Sequence, residues 1–334
     1  MTPAPHALPT LVDPLSLVIR PTEPVTITRR DDGDLIFRTA QAVPITSIHA
    51  GIQPETIDMA SEIPFTLEDG VTVVDHAASG LDPLTRHYFR VTLIDDRQVT
   101  AAERYLPLSG AFNARDLGGY ETSDGRRMRW GRVFRTSHLA GLTEADQAYL
   151  ERMGVRLICD LRVPDEIASK PDRPVNGATT FARPLLTEGS KIRQIITVLL
   201  YRNRLDKLLL RGYISNMIDQ NAAVFGAIYR QLLDSDNLPT ILHCTAGKDR
   251  ADMATALLLL VLSVPEATIV ADYSLSKKYY DHFKETAGAQ ADKLRRLGVR
   301  VDALHPMLLA DPGNMRAALG YIRGGVDVNP AVLD

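Results

Sequence analysis

Two cysteines in 334 residues, Cys159 and Cys244, are too few for a disulfide framework and fit a reducing compartment. No apolar run reaches the roughly 18–20 residues that a membrane span needs, so no integral membrane segment is expected. The opening MTPAPHALPT has neither the basic start nor the apolar core of a secretory signal. Cytoplasmic residence is the expectation, although export without a signal peptide leaves no mark of this kind. Lysine is missing altogether from residues 1–108, where eight arginines face 15 acids for a net −7. Residues 109–334 carry 30 basic and 26 acidic side chains, a net +4, so the overall −3 conceals two halves of opposite sign. That asymmetry predicts two domains, the positive one better suited to an anionic ligand. No nucleic-acid partner is expected. With 45% apolar residues the chain is no disordered polyelectrolyte.

Residues 1–108 read as short strands punctuated by Pro and Asp-Gly: SLVIR, TITRR, LIFRT, ITSIHA, PFTL, VTVVDH, HYFRVTLI and VTAAERYLPL. About eight such strands without a long helix predict an all-β sandwich. The stretch GLDPLTRHYFRVTLID resembles the turn and strand of fibronectin type III domains, with Phe89, Val91 and Leu93 facing the core. It departs from that pattern at one point: His87 stands where the family has its corner tyrosine, and Tyr88 comes one residue late.

From Ser109 the character changes to alternating strands and helices, which predicts an α/β domain with a largely parallel central sheet flanked by helices over 109–334. VFRTS (133–137), VRLICDL (155–161) and TILHC (240–244) read as strands, and Thr143 as the N-cap of a helix to about Met153. A Pro-rich loop follows VRLICDL. Helical patterns cover about 190–211, 213–235 and 251–262, with three more segments to about 323.

HCTAGKDR (243–250) joins the strand TILHC to the helical run ADMATALLLLVL. A short loop from the C-terminal end of a parallel strand into a helix aims several backbone N–H groups at one spot, and the helix dipole adds to their field. A cysteine at the entrance of that field is stabilised as thiolate, which lowers such pKa values from about 8.5 to roughly 3.5–7.5. Arg250 at the far end offers the two-pronged guanidinium contact that phosphate oxygens favour, and Gly247 permits the tight turn. Nucleophile, oxyanion cradle and charge neutralisation are all present. The bland alternative for Cys244 is a buried strand thiol.

HCTAGKDR also matches the Cys-x5-Arg signature of cysteine-dependent tyrosine phosphatases. It most resembles the bacterial tyrosine and dual-specificity phosphatases with a His-Cys-x-x-Gly-Lys-Asp-Arg loop, whose secreted mycobacterial and listerial members also accept phosphoinositides. Asn113-Ala114-Arg115-Asp116-Leu117-Gly118-Gly119-Tyr120 is similar to that family's opening motif. Phe134-Arg135-Thr136-Ser137, and Asp160-Leu161-Arg162 with Glu166, follow in family order. The likeness spans about 110–275.

The resemblance implies a cysteine-phosphatase fold and a phosphocysteine intermediate formed by Cys244. Arg250 and the loop Thr245-Ala246-Gly247-Lys248-Asp249 would hold the phosphate, His243 would support the thiolate, and neither metal nor organic cofactor is required. Lys248 sits where 3-phosphoinositide phosphatases also carry a lysine. The mobile Trp-Pro-Asp loop of classical tyrosine phosphatases is absent, because the one tryptophan, Trp130, precedes Gly131. That leaves two aspartates for the general acid, Asp160 at the end of the neighbouring strand, placed first, and Asp249 inside the loop; Asp165 of Val163-Pro164-Asp165 is a weaker choice. The alternative for Asp160 is pairing with Arg162 or Arg135. Cys159, on the opposite face of its strand, reads as a core thiol.

The family usually follows the arginine with Thr or Ser and then Gly, whereas Ala251 and Asp252 stand here. Loss of that hydroxyl predicts slow hydrolysis of phosphocysteine. Six basic residues against one acid in KIRQIITVLLYRNRLDKLLLR (191–211) suit a helical lid at about 187–212, peripheral contact with an anionic membrane, or an ordinary packed helix with a solvated basic edge. The expected substrates are phosphorylated proteins, on tyrosine and also serine or threonine, and phosphoinositides. The sandwich offers a surface for a protein partner. Two readings stay beside the first: an inositol polyphosphate phosphatase, and a low-activity phospho-binding module.

Overall fold

Among the described residues, the N-terminal unit has seven strands: β1 (Val25–Arg29), β2 (Leu35–Thr39), β3 (Ile45–Gly51), β4 (Thr66–Glu68), β5 (Val71–Val74), β6 (Tyr88–Leu93) and β7 (Gln98–Ala102). The computed structural model describes residues 23–185, 217–283 and 310–324. The expected strand SLVIR, the basic 191–211 segment and the lid at about 187–212 lie outside them. The strands form two antiparallel sheets ordered β1-β2-β5-β4 and β3-β6-β7, the four-plus-three arrangement of immunoglobulin-type sandwiches. Strict alternation on β6 buries Phe89, Val91 and Leu93 between them, and Phe89 meets Phe37 edge-on at 5.1 Å. Tyr88 faces the other way, out of the sandwich.

The second unit is built on a five-stranded sheet ordered β11-β10-β12-β9-β8, from β8 (Arg115–Asp116), β9 (Val133–Thr136), β10 (Leu157–Asp160), β11 (Thr179–Ala182) and β12 (Thr240–His243). Only the β8–β9 pairing is antiparallel. Such a sheet is covered on both faces, which explains its continuous apolar strands. Phe134, Ile158 and Ile241 point to a core shared with α1 (Glu144–Arg152), while Val133, Leu157, Cys159 and Leu242 point to a larger core. That larger core includes residues of α3 (Ala222–Leu232), α4 (Asp249–Val261), α5 (Glu266–Ser274) and α6 (Pro312–Ile322). A short helix, α2 (Pro164–Ser169), follows β10 where the prolines predict only a loop. Thr143 caps α1 reciprocally with Asp146, whose carboxylate also takes the amides of Ser109 and Gly110 and so pins the connection between the two units.

The units meet across buried arginines. Arg86, just before β6, donates to Asp116 Oδ2 at 2.9 Å and to the Glu103 carbonyl at 2.9 Å. Arg104, just after β7, donates to the carbonyls of Asp116 and Gly118 and lies over the rings of Tyr120 and Trp130. Trp130 Nε1 in turn donates to the Thr100 carbonyl at 3.0 Å. Tyr88 belongs to this junction: its hydroxyl accepts from Arg86 Nε, and its ring clusters with Ala102 and Trp130.

Candidate active site

Parallel pairing in register brings Thr136, His243 and Asp160 side by side at the C-terminal edge of the sheet. Sites in parallel α/β sheets collect at that edge. The chain leaves β12 at His243, turns through Cys244–Lys248 and enters α4 at Asp249. Cys244 is buried with the larger core, next to the first turn of α4.

The loop's shape rests on Gly247, whose φ is +61°. A Cβ there would stand 2.5 Å from the Thr136 carbonyl carbon and 2.6 Å from the Ser137 nitrogen, so only glycine fits. Its carbonyl is turned inward and accepts from Asn113 Nδ2 at 2.7 Å and from an Arg135 guanidinium nitrogen at 2.6 Å. Those two bonds fix the Gly247 carbonyl, and with it the path of the loop. Asn113 and Arg135 stand in motifs that the sequence reveals, but their task is visible only in three dimensions, where both support the loop.

Arg250 is set with similar care. Its guanidinium donates two bonds to Glu166, at 2.5 and 2.8 Å, in the fork geometry that fixes a guanidinium plane. Glu166 also accepts from Thr245 Oγ1 at 2.6 Å. Partial burial alone would raise the Glu166 carboxyl, but the hydrogen bonds from Arg250 and Thr245 outweigh it and hold it at about 2. Glu166 is presented by α2, whose first turn it also closes by accepting from the Val163 amide. The Val163-Pro164-Asp165 segment is thus a helix start, with Pro164 in the first turn where a missing N–H costs nothing.

A buried charge cluster lies behind the loop. Arg115 and Arg135 both pair with Asp272 of α5, at 3.0 and 3.2 Å, and Tyr120 donates to the same carboxylate at 2.8 Å. Burial would raise Asp272, yet the two guanidinium groups keep it well below the usual carboxylate range. Asp252, in the first turn of α4, pairs with Arg135 and lies 3.7 Å from Arg115. Its burial wins over those cations and pushes its pKa up to about 6. No sequence signal marks Asp272, which enters from a helix with no motif of its own.

The two aspartates considered for proton transfer occupy different settings. Alternation along β10 sends Asp160 to the face of Ile158 and away from Cys159, which shares the larger core with Cys244. There Asp160 is buried and receives Arg162 through Nε at 2.9 Å and a terminal nitrogen at 2.8 Å. This is the pairing that its neighbour at 162 allows. His243 lies on the same face, its Nε2 3.7 Å from Asp160 and 3.3 Å from Asp172. Burial lowers its pKa despite those carboxylates, so it is neutral at pH 7. Asp160, Asp172 and His243 converge closely enough to hold a cation, but the Arg162 guanidinium already bonds to both carboxylates there. Asp249 instead is exposed at the start of α4, with Lys248 Nζ 2.8 Å from its carboxylate. Lys248 itself is buried, its ammonium 5.7 Å above the Phe283 ring. The buried Cys159 thiol is pushed up to about 12 by burial alone, as a core residue should be.

A family model described as the tyrosine phosphatase family matches residues 106–327. A Cupriavidus necator protein named as a tyrosine-protein phosphatase is 32% identical over 218 residues, covering 64% of this chain and 77% of that protein. The triple specificity protein phosphatase of Mycobacterium tuberculosis is 30% identical over 196 residues, 52% of this chain and 68% of that one. Among solved structures, a kinase associated phosphatase with its catalytic-site cysteine replaced by serine aligns with 13% identity and a TM-score of 0.29, over 48% of this chain and 89% of that one.

Proposed function

The chain belongs to the tyrosine phosphatase family, and from that premise we propose that it hydrolyses phosphomonoesters through a phosphocysteine at Cys244. The observation that carries this reading is the Arg250–Glu166 fork, at the far end of a loop that begins at Cys244 and that only Gly247 can close. Cys244 Sγ attacks phosphorus; the S–P bond forms as the ester P–O bond breaks, and the leaving oxygen takes a proton. Arg250 and the amides of residues 245–250 neutralise the equatorial oxygens. Water then attacks phosphocysteine, the S–P bond breaks, and phosphate and the thiolate are released.

We assign the proton to Asp249. It is exposed at the start of α4, whereas Asp160 is buried and tied to Arg162. Asp160 then orients Arg162 and the neutral His243. Ala251, fully buried, supplies no hydroxyl to the departing thiolate, so the second step limits turnover and phosphoenzyme accumulates. The name of the Mycobacterium tuberculosis relative supports a substrate range wider than phosphotyrosine. Lys248 supports acceptance of a polyanionic phosphoinositide headgroup. We read the sandwich as fibronectin type III-like, on the strength of GLDPLTRHYFRVTLID.

The test is a panel of aryl phosphate, phosphopeptides, phosphoinositides and inositol phosphates, with Cys244→Ser as the blank. Turnover of aryl phosphate with a trappable phosphocysteine is expected. A wild-type protein no more active than the blank ends the proposal and leaves the phospho-binding module in its place.

A further inference from the structure

Strand β8 has two residues, and alternation sends their side chains to opposite sides. Arg115 points toward the catalytic loop. It is fully buried, bonded to Asp272 at 3.0 Å, and it donates to the Asn113 side-chain oxygen, fixing the amide that holds the Gly247 carbonyl. Asp116, equally buried, points toward the sandwich. Its Oδ1 takes the Gly118 amide at 2.8 Å, and its Oδ2 takes the Gly131 amide at 2.8 Å and Arg86 at 2.9 Å. The catalytic half thus ends at this junction in a buried carboxylate whose cationic partner comes from the sandwich.

We propose that Arg86 of the sandwich is a positioning residue for the catalytic loop, acting through Asp116 and strand β8. The sandwich is then a working part of the phosphatase site and not an appended module. The link is short: Arg86 to Asp116, one peptide to Arg115, then Asn113 and the Gly247 carbonyl. Each member is buried, so none can exchange its partner for water without moving the backbone that carries it. Loss of the Arg86 guanidinium leaves the buried Asp116 carboxylate with two amides and no bonded cation, since Arg104 reaches only the Asp116 carbonyl, and β8 shifts to relieve it. Asn113 moves with β8, and the loop amides lose their aim at the phosphate oxygens.

The inference rests on the phosphatase reading of Cys244, and the test separates the two. Full-length Arg86→Met, Arg86→Lys and Glu55→Gln are compared with wild type by kcat and KM on an aryl phosphate, well below each protein's melting temperature. Inorganic phosphate affinity is measured in parallel by thermal shift. Glu55 serves as control because it crosses the same junction, 2.6 Å from Arg132, but is exposed and pairs with Arg132 and not with Asp116. The expected result is a fall in kcat of about tenfold or more for Arg86→Met, since small misplacements of a catalytic constellation are that costly. Phosphate binding weakens with it, Arg86→Lys lies between, and Glu55→Gln is unchanged. Wild-type kcat and phosphate affinity in folded Arg86→Met or Arg86→Lys would overturn the inference, as would an equal loss in Glu55→Gln. If wild type shows no turnover above Cys244→Ser, the phosphatase reading fails, and the phosphate-affinity arm still decides whether Arg86 reaches the loop.

Discussion

At the scale of single residues, the site divides into groups that meet phosphate and groups that aim them. Gly247 belongs to the second kind. Gly247→Ala puts a methyl within 3 Å of the β9 backbone at a φ that L residues avoid. A cost of about 1–3 kcal/mol is expected, read from the urea midpoint, together with loss of aryl phosphatase activity. A variant that keeps both stability and kcat would mean that the loop closes without this turn. Asp249 and Asp160 separate by leaving group. With the proton on Asp249, Asp249→Asn slows alkyl and poor aryl leaving groups most and spares nitrophenolate, so its rates steepen against leaving-group pKa. Asp160→Asn keeps the wild-type slope and loses stability instead, because Arg162 is left half-paired. The reverse pattern returns the acid to Asp160. Ala251→Thr supplies the hydroxyl that Ala251 lacks after the arginine. Faster decay of trapped phosphocysteine in that variant, with an unchanged burst, is the expected outcome in rapid-quench kinetics.

Helix α4 buries an acid, Asp252, in its first turn, and the consequence is one of pH. Asp252 faces Arg135 from β9, Arg115 from β8 and Asp272 from α5, with Asp249 on its own helix, and burial lifts it from 3.8 to about 6. A carboxyl raised on folding favours the folded state while protonated. Its contribution is complete below about pH 4 and is lost as pH rises through about 6. A rise of that size is equivalent to about 3 kcal/mol of stability. Glu166 runs the other way: its contribution is present above its ordinary 4.5 and fades as pH falls toward 2. Comparing wild type with Asp252→Asn cancels Glu166 and isolates the α4 carboxyl. The Asn variant is expected to gain stability relative to wild type between pH 4 and 7, by urea titration at each pH. A constant difference across that range would place the Asp252 pKa outside it.

For the whole molecule, what sequence reveals depends on how far apart the partners are. The strand–loop–helix around Cys244 and the capped start of α1 are local, written in consecutive residues, and legible. So is the inward set Phe89, Val91 and Leu93, because a strand's period is two. Asp272 is not legible: it meets Arg115 across 157 positions, and nothing near it in the chain announces a partner. For Asp160 the strand is legible, but its partner is two residues away on the same face, while the nucleophile lies on the other. The junction is hidden for the same reason, since Arg86 and Arg104 read as ordinary sandwich charges until Asp116 folds against them. Their burial also says how the molecule unfolds. Separating the units exposes two buried guanidinium groups, the Trp130 ring and the Thr100–Trp130 hydrogen bond together, so neither unit keeps a finished surface alone. The two halves should therefore unfold as one cooperative unit despite having separate cores. Trp130 is the only tryptophan, which makes its emission a reporter of the junction. In a urea titration, Trp130 fluorescence, far-ultraviolet circular dichroism and aryl phosphatase activity are expected to share one midpoint. A red shift of Trp130 at lower urea than the loss of secondary structure would show the units parting first.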